Sequence, residues 1–303
     1  MRAQQPGRVC LAISAFKSDE SIARLLEAAA RVESPPWEHV LVIDSLSSGK
    51  IPELIAARGW KNVEYRSFPT NLGSAGNFWL RLKIPAEQGF DWVYAINHDG
   101  LVAPDLVRTL LQYADEGVGA VYPIRRYTRR GDVYDVSGLS PLPWPARTVV
   151  RRPTGPALRA HWGASNGALF SMKAIRGGVR VLNELWLGWE DLALGWSLDQ
   201  AGYSQLLIPD AVLDDDYEYL EEKKAFRQLS EKPSWYAYYA VRNLLLASRT
   251  VRPGLSIEAA AGARVALEFA GLLLRSKKRE RFRFALQGLW AGVRGESGKG
   301  QKP

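Results

Sequence analysis

The chain has 303 residues, of which 47% are hydrophobic and 24% are charged, the balance of a globular protein with ample material for a core. Its one cysteine, Cys10, excludes an internal disulfide, and its three histidines and one cysteine form no cluster of the kind that binds zinc. No apolar stretch is long enough to span a bilayer, and the first residues do not resemble a signal peptide. We therefore expect a soluble, cytoplasmic protein.

The net charge of +8 is concentrated at one end of the sequence. Residues 275–303 contain nine Lys or Arg residues against Glu280 and Glu296, a net of +7, which leaves the first 274 residues at +1. The sequence is thus a nearly neutral domain followed by a basic segment.

Apolar runs alternate with segments of helical spacing over the first hundred residues. The predicted strands are 9–16, 39–43, 63–65 and 92–96, and the predicted helices are one capped by Ser18, then 52–58 and 77–88. Residues 71–76 read as a glycine-containing loop. This alternation predicts a parallel-rich α/β sheet.

The second half of the sequence is less regular. Residues 121–160 are rich in Arg, Pro and Gly and predict a long loop or hairpin excursion on the surface. The predicted elements that follow are a strand at 161–172, a helix at 192–201, a strand at 206–209, and helices at 235–248, 257–274 and 279–293. We divide the chain into a catalytic domain, 1–222, with a nucleotide-binding part at 1–120 and an acceptor-side part at 121–222, and a helical, basic region at 223–303.

Acidic residues follow apolar strands or begin a helix at three places: Asp44, Asp99, and the pair Glu190 and Asp191. A single such carboxylate is more often a turn or cap residue than a functional one. Strand ends of a parallel sheet open on one edge, and carboxylates gathered there need a proton or a cation. Mg²⁺ or Mn²⁺ would satisfy them and would bind a diphosphate.

The loop at 71–77, NLGSAGN, has glycines that would let backbone amides approach a phosphate or a base at the start of a helix. It is not the dinucleotide fingerprint, which would directly follow the first strand, and the sequence contains no P-loop.

Taken in order, these motifs resemble the family-2 glycosyltransferases, in particular their bacterial rhamnosyl- and galactofuranosyltransferase-like branch. The resemblance spans about residues 8–250 and also includes Gly202-Tyr203 and Arg242-Asn243. It implies a GT-A fold, a mixed and mostly parallel sheet flanked by helices, here with a C-terminal helical extension. It also implies an inverting transferase in which Asp191 is the general base and Glu190 orients the site.

The resemblance assigns further residues to the donor, the metal and the acceptor. The implied donor-binding residues are Ser14, Phe16, Asp44, Ser47, Asn71, Gly73, Gly76, Asn97 and His98. The implied metal ligands are Asp99 and Asp215. The implied acceptor-binding residues are Trp186, Trp189, Asn166 and Gly167.

Three departures from the family pattern affect this assignment. Asn97 replaces a carboxylate of the metal motif, and Ser45 and Leu46 stand where Asn-Gly is expected. A histidine that usually follows the strand near residue 213 is absent. Asp215 would replace it as an oxygen ligand, or residues 214–216 form a solvated acidic turn.

The implied partners are a UDP-, dTDP- or GDP-linked sugar and a glycan or lipid-linked acceptor, and the chain is a possible homo-oligomer. Residues 275–284, RSKKRERFRF, are typical of a basic helix on an anionic membrane surface, here the inner face of the plasma membrane, although a helix packed on its own domain would look similar. Nothing indicates nucleic-acid binding. Two other functions are considered, a nucleotidyltransferase acting on sugar phosphates and a degenerate, non-catalytic module that binds sugar nucleotides.

Overall fold

The computed structural model describes residues 7–46, 48–127, 132–143, 147–214, 232–272 and 277–301. Its centre is a mixed sheet in the strand order β3-β2-β1-β4-β9-β5-β10-β8, with β6 and β7 attached to β5. The strands are β1 Val9–Phe16, β2 His39–Ser45, β3 Val63–Phe68, β4 Trp92–Asn97, β5 Val118–Tyr127, β6 Val133–Asp135, β7 Thr148–Val149, β8 Leu158–Ala160, β9 Ala168–Ser171 and β10 Ser204–Asp214. On the main path only β9 and β8 run against the other strands, so the sheet is mostly parallel, as predicted.

Helices cover both faces of this sheet. They are α1 Asp19–Ala30, α2 Lys50–Arg58, α3 Gly73–Glu87, α4 Pro104–Leu111, α5 Met172–Arg176, α6 Glu190–Gln200, α7 Tyr236–Thr250, α8 Leu255–Leu272 and α9 Lys278–Arg294. Successive β1 residues alternate between the two resulting cores: Leu11 and Ile13 pack under α1, α2 and α4, and Cys10 and Ala12 pack under α3, α5 and α6. Burial on both faces explains why β1 and β4 read as continuous apolar runs.

A third core joins the later helices to the sheet domain. It contains Leu192 and Trp196 of α6 together with Val241 of α7, Ala261 of α8 and Ala285 of α9. The predicted boundary at residue 222 lies outside the described residues and stays a prediction. No helix in the described ranges combines the length and hydrophobicity that a bilayer crossing requires.

Four local predictions were wrong. Helix α3 begins at Gly73 rather than at residue 77, because the Asn71 side chain accepts a hydrogen bond from the Gly73 N–H and starts the first turn. Residues 121–124 are buried in β5 rather than part of a surface excursion, although β5 and β6 do pair antiparallel as in a hairpin, and the predicted strand 161–172 is reduced to β9. Ser18 precedes α1 but makes no capping hydrogen bond, since its ψ of 48° is not the extended value of a usual N-cap.

Candidate active site

A cleft of about 430 Å³ opens where β1, β2 and β4 end. The predicted site residues that line it are Ser14, Phe16, Asn71, Gly73, Asn97, His98, Asp99, Trp186, Glu190 and Asp191. Acids that are far apart in the sequence, Asp99 and Asp191, therefore border one space. A second cavity of about 510 Å³, between α7, α9 and residues 296–301, contains none of the predicted site residues.

The floor of the cleft is set by the pairing of β1 with β4. Ser14 lies opposite Asn97 in the register, and its hydroxyl donates a hydrogen bond of 3.0 Å to the Asn97 side-chain oxygen. The chain then turns, with the Gly100 N–H donating to the Asn97 carbonyl at 2.8 Å. Asp99 is exposed at the tip of this turn. The turn and the ligand-site interpretations of this segment are thus compatible, because the turn presents the carboxylate to the cleft.

Asn166 and Gly167, predicted to contact the acceptor, do not line the cleft. The Asn166 side-chain oxygen instead accepts the Asn97 N–H at 3.0 Å, and the Gly167 N–H donates to the Ala95 carbonyl at 2.7 Å. Gly167 has φ of 83°, and a Cβ there would lie 2.5 Å from the Leu213 side chain. These residues hold the end of β4 from behind, and we do not include them in the proposed acceptor site.

The segment at 71–76 borders the cleft, but two of its backbone N–H groups bind protein atoms. Gly73 donates its N–H to the Asn71 side chain at 2.9 Å, and the Ala75 N–H donates to the Trp186 carbonyl at 3.1 Å. A Cβ on Gly73, whose φ is 71°, would lie 2.0 Å from that carbonyl oxygen. Gly76 lies within α3 and not in the cleft. Two of the amides expected to approach a phosphate are therefore already occupied.

The two tryptophans predicted to hold the acceptor have different surroundings. Trp186 lines the cleft and is 6% exposed, with its ring centroid 5.0 Å from that of Tyr239. Trp189 donates its indole N–H to the Ala240 carbonyl at 2.8 Å and packs against the core under α7. Trp189 is therefore a packing residue here and is left out of the proposed acceptor site.

Asp191 and Glu190 form the first turn of α6, directly beside the cleft. The Ser165 N–H donates to Asp191 Oδ1 at 3.3 Å. Burial and the neighbouring Glu190 charge raise the pKa of Asp191 to about 7, against the opposing effects of the Ser165 hydrogen bond and of Arg125 and Arg81. A carboxylate with this pKa is suited to accept a proton near neutral pH.

Asp44 lies at the end of β2 but is completely buried and does not line the cleft. The Tyr65 hydroxyl donates to one of its oxygens at 2.7 Å, and burial raises the pKa of Asp44. Its other oxygen has no hydrogen-bond partner among the described residues. Leu46, two residues on, has φ of 62°, the left-handed conformation that glycine adopts at lower cost, so the replacement of Asn-Gly keeps the turn.

The predicted residues Ser47 and Asp215 lie outside the described residues. Asp214 is described, and its two oxygens accept hydrogen bonds of 2.6 and 2.9 Å from Arg126. Asp214 is thus engaged in an ion pair at the end of β10.

A sequence model described as glycosyl transferase family 2 matches residues 10–170, more than half of the chain. The chain belongs to this family. It is 30% identical over 107 residues to the succinoglycan biosynthesis protein ExoO of Rhizobium meliloti (strain 1021), a match that covers 35% of this glycosyltransferase and 30% of that protein. The chain thus matches less than a third of the length of this curated relative.

Solved structures share the fold of this glycosyltransferase. The crystal structure of S. aureus TarS 1-349 in complex with UDP-GlcNAc matches with a TM-score of 0.61 and 13% identity, over 94% of this chain and 81% of that one. GalNAc-T7 with UDP, GalNAc and Mn²⁺ matches with a TM-score of 0.56 and 12% identity, over 85% and 55% of the two chains. The predicted family and GT-A fold are confirmed.

The part of this glycosyltransferase that the structure describes contains no group of three His, Cys, Asp or Glu side chains able to hold a metal ion. Asp99 borders the cleft with Asn97, whose oxygen already accepts the Ser14 hydrogen bond. One exposed carboxylate does not make a protein-built metal cage. It does fit the arrangement in which Mg²⁺ or Mn²⁺ is held by one carboxylate together with the phosphates of a substrate.

Sequence reasoning missed Arg81, which lines the cleft from α3. Arg81 is only 3% exposed and donates to the Ile96 carbonyl at 3.0 Å, just before the Asn97 turn. The sequence did contain a signal, an arginine between Leu80 and Leu82 in a helix that packs on the sheet. A buried arginine is rare without a partner, so this position could have been predicted to bind a specific group.

Proposed function

We propose that this family-2 glycosyltransferase transfers a sugar from a nucleoside-diphosphate donor to a hydroxyl of a glycan, with inversion and with Asp191 as the general base. The observation that carries the proposal is the position of Asp191, whose pKa is raised to about 7, in the same cleft as Asn97 and Asp99. A nucleotide at the end of the parallel strands would place its sugar between these residues.

The donor half of the proposal rests on the ends of β1, β2 and β4. The space where the nucleoside would lie is bordered by Ser14, Phe16, Asn71, Asn97 and His98. The family pattern assigns Asp44 to the base, but its carboxylate is completely buried and does not line the cleft, so we leave Asp44 out of the proposed donor site. TarS binds UDP-GlcNAc and UDP, and GalNAc-T7 binds UDP, which makes UDP-sugars the first donors to test, before dTDP- and GDP-sugars.

Negative charge grows on the departing diphosphate as the bond to the sugar breaks. A divalent ion bound there by Asp99 and the diphosphate would neutralise that charge. Arg81, buried in the lining of the cleft, adds a fixed positive charge to it. Asn97 reduces the negative charge of the protein at this point, so the diphosphate itself supplies more of the attraction for a cation.

The acceptor hydroxyl loses its proton as it attacks the sugar from the side opposite the diphosphate. Asp191 accepts that proton, a contribution typically worth about 10²–10⁴ in rate. Glu190 keeps the pKa of Asp191 high through its charge and is placed to orient the acceptor. Trp186 gives the cleft an apolar wall against which a sugar ring can pack.

The test is a panel of UDP-, dTDP- and GDP-sugars with Mn²⁺, in which transfer or slow donor hydrolysis is measured. We expect the wild type to turn over one of these donors and Asp191→Ala to bind the nucleotide without turnover. Asp210→Ala is the control: it removes an exposed carboxylate of β10 and should keep the turnover of the wild type. Release of pyrophosphate from a nucleoside triphosphate and a sugar phosphate would instead indicate a nucleotidyltransferase. Nucleotide binding without turnover would indicate a degenerate module.

We further propose that α9 binds an anionic bilayer surface, at the inner face of the plasma membrane, where a lipid-linked acceptor would be found. Its apolar side chains Phe282, Leu286, Trp290 and Val293 recur on one face and are 38–61% exposed. The opposite face has small residues, such as Gly288, that allow close packing on α7. Exposed cations flank the apolar face, namely Lys277, Lys278, Arg279, Arg283 and Arg294. Such a helix lies in the bilayer interface, and each cation near it adds about 1 kcal/mol.

A further inference from the structure

Residues 296–301, which follow α9, lie against the loop that leads to the catalytic carboxylates. We call residues 296–301 the clasp segment and residues 185–189 the tryptophan loop. The Gly298 N–H donates to the Glu184 carbonyl at 2.6 Å, and the Tyr239 hydroxyl donates to the Gln301 carbonyl at 2.8 Å. The Lys299 ammonium lies 5.4 Å from the centroid of the Trp186 ring. Residues near position 300 thus meet the wall of the cleft.

Arg242 joins the clasp segment to the tryptophan loop. Its guanidinium is completely buried and donates to the Gly298 carbonyl at 2.7 Å and to the Leu185 carbonyl at 2.9 Å. A third bond, to the side-chain oxygen of Asn243 at 2.8 Å, fixes the neighbouring amide. Because the planar guanidinium makes these bonds in set directions, it holds the two segments at a defined separation.

Asn243 extends the same attachment along the tryptophan loop. Its buried amide nitrogen lies 2.8, 2.7 and 3.1 Å from the carbonyl oxygens of Leu185, Leu187 and Gly188. The loop therefore has most of its carbonyls bound by two consecutive residues of α7. One of those two residues depends on the clasp segment for part of its own hydrogen bonding.

The tryptophan loop needs such support because its backbone is strained. Trp186 and Trp189 have φ of 63° and 69°, values that side chains other than glycine adopt at a cost of about 1–2 kcal/mol each. A loop of this kind persists only where surrounding contacts hold it. Its release would displace Glu190 and Asp191, which follow directly at the start of α6.

We infer that the clasp segment is a positioning element of the active site, which acts through Arg242 to hold the tryptophan loop and thereby the general base. This inference rests on the proposed role of Asp191. Residues 296–301 would then help to set the rate of transfer, whereas the sequence predicted only positive charge for this region.

Gly300→Leu tests the inference without replacing Arg242 or any residue of the tryptophan loop. A Cβ at Gly300 would lie 2.3 Å from the Tyr238 hydroxyl, so the larger side chain forces the segment off α7. Gly262→Leu is the matched control, since a Cβ there points into open space on α8. Hydrogen–deuterium exchange of peptides covering 184–191 and 296–301 is measured in both variants, together with kcat and KM for the UDP-sugar that the wild type uses.

We expect faster exchange in both peptides of Gly300→Leu, with kcat lowered about 10- to 100-fold and the donor KM changed by less than about twofold. The acid limb of the kcat profile should move below pH 7, because water reaching Asp191 removes part of the burial that raises its pKa. Arg242→Lys, which keeps the charge but cannot bridge both carbonyls, should behave in the same way.

Faster exchange at 296–301 with unchanged exchange at 184–191 and unchanged kcat would overturn the inference. The exchange measurement needs no substrate. A wild type without turnover would therefore count against the proposed function. Exchange in the peptide 184–191 would still show whether the clasp segment holds the tryptophan loop in place.

Discussion

Replacing Asp191 by asparagine is expected to stop sugar transfer and at the same time to stabilise the folded chain at neutral and alkaline pH. The reason is the pKa of Asp191, which burial and the charge of Glu190 raise to about 7. In the unfolded chain the same carboxyl releases its proton near pH 4. Between these two values the folded state binds a proton that the unfolded state has lost.

The sign of the effect follows from proton linkage. Stability falls as the pH rises wherever the folded state binds more protons, so the wild type loses stability between about pH 4 and about pH 7. The pKa of Asp191 is near 3.8 in water and about 7 in the folded chain, and each pH unit between them corresponds to about 1.4 kcal/mol. The stability that the wild type loses over this range is therefore at most about 4 kcal/mol. Asparagine does not titrate, and its side-chain oxygen can still accept the Ser165 N–H.

Urea unfolding of the wild type and of Asp191→Asn, followed by circular dichroism at about pH 5 and about pH 8, measures this difference. The variant should gain more than twice as much stability at the higher pH as at the lower one, while transfer is lost at both. Glu190→Gln serves as the control. It removes a charge that raises the pKa of Asp191, so the activity that remains should show the acid limb of the kcat profile at lower pH, while activity in Asp191→Asn is lost at every pH. An equal stability difference at both pH values would refute the assignment of a raised pKa to Asp191.

Three other predictions test separate parts of the site. Gly73→Ala should lower the free energy of unfolding by about 1–3 kcal/mol in urea titrations and should reduce transfer, because the φ of Gly73 is 71° and a Cβ there would lie 2.0 Å from the Trp186 carbonyl oxygen. Gly117→Ala is the control, and it should change neither quantity, because a Cβ at Gly117 points into open space. A chelator should lower transfer and added Mn²⁺ should restore it in the wild type but not in Asp99→Ala; full activity after chelation would contradict the metal proposal. Trp290→Ser should reduce the fraction of protein that sediments with phosphatidylserine vesicles, because it removes an exposed apolar side chain of α9. Wild-type protein that does not sediment with such vesicles, or that forms a dimer through α9 instead, would contradict membrane binding.

Sequence patterns predicted the elements of the first hundred residues well. The continuous apolar runs of β1, β2 and β4 marked strands buried on both faces, and Asn97 and Asp99 stand where β4 leaves the core. Parallel strands open on one edge, so the meeting of their polar ends followed from local signals. The start of α3 was missed, because it depends on a side-chain hydrogen bond from Gly73 to Asn71 rather than on apolar spacing.

The side-chain environments needed the tertiary structure. Trp186 and Trp189 are three residues apart and chemically identical, and both contact α7, yet only Trp186 also borders the cleft. Burial of Arg81 and the contact of residues 296–301 with the tryptophan loop are likewise contacts between distant segments.

The sequence by itself determined the family, the α/β sheet and the order of polar strand ends, since these depend on local periodicity and on short motifs. Only the tertiary structure decided which carboxylate has a pKa near neutral pH. The pKa of Asp191 depends on desolvation and on charges contributed by Glu190, Arg125 and Arg81, and the two arginines reach it from β5 and α3 only after folding.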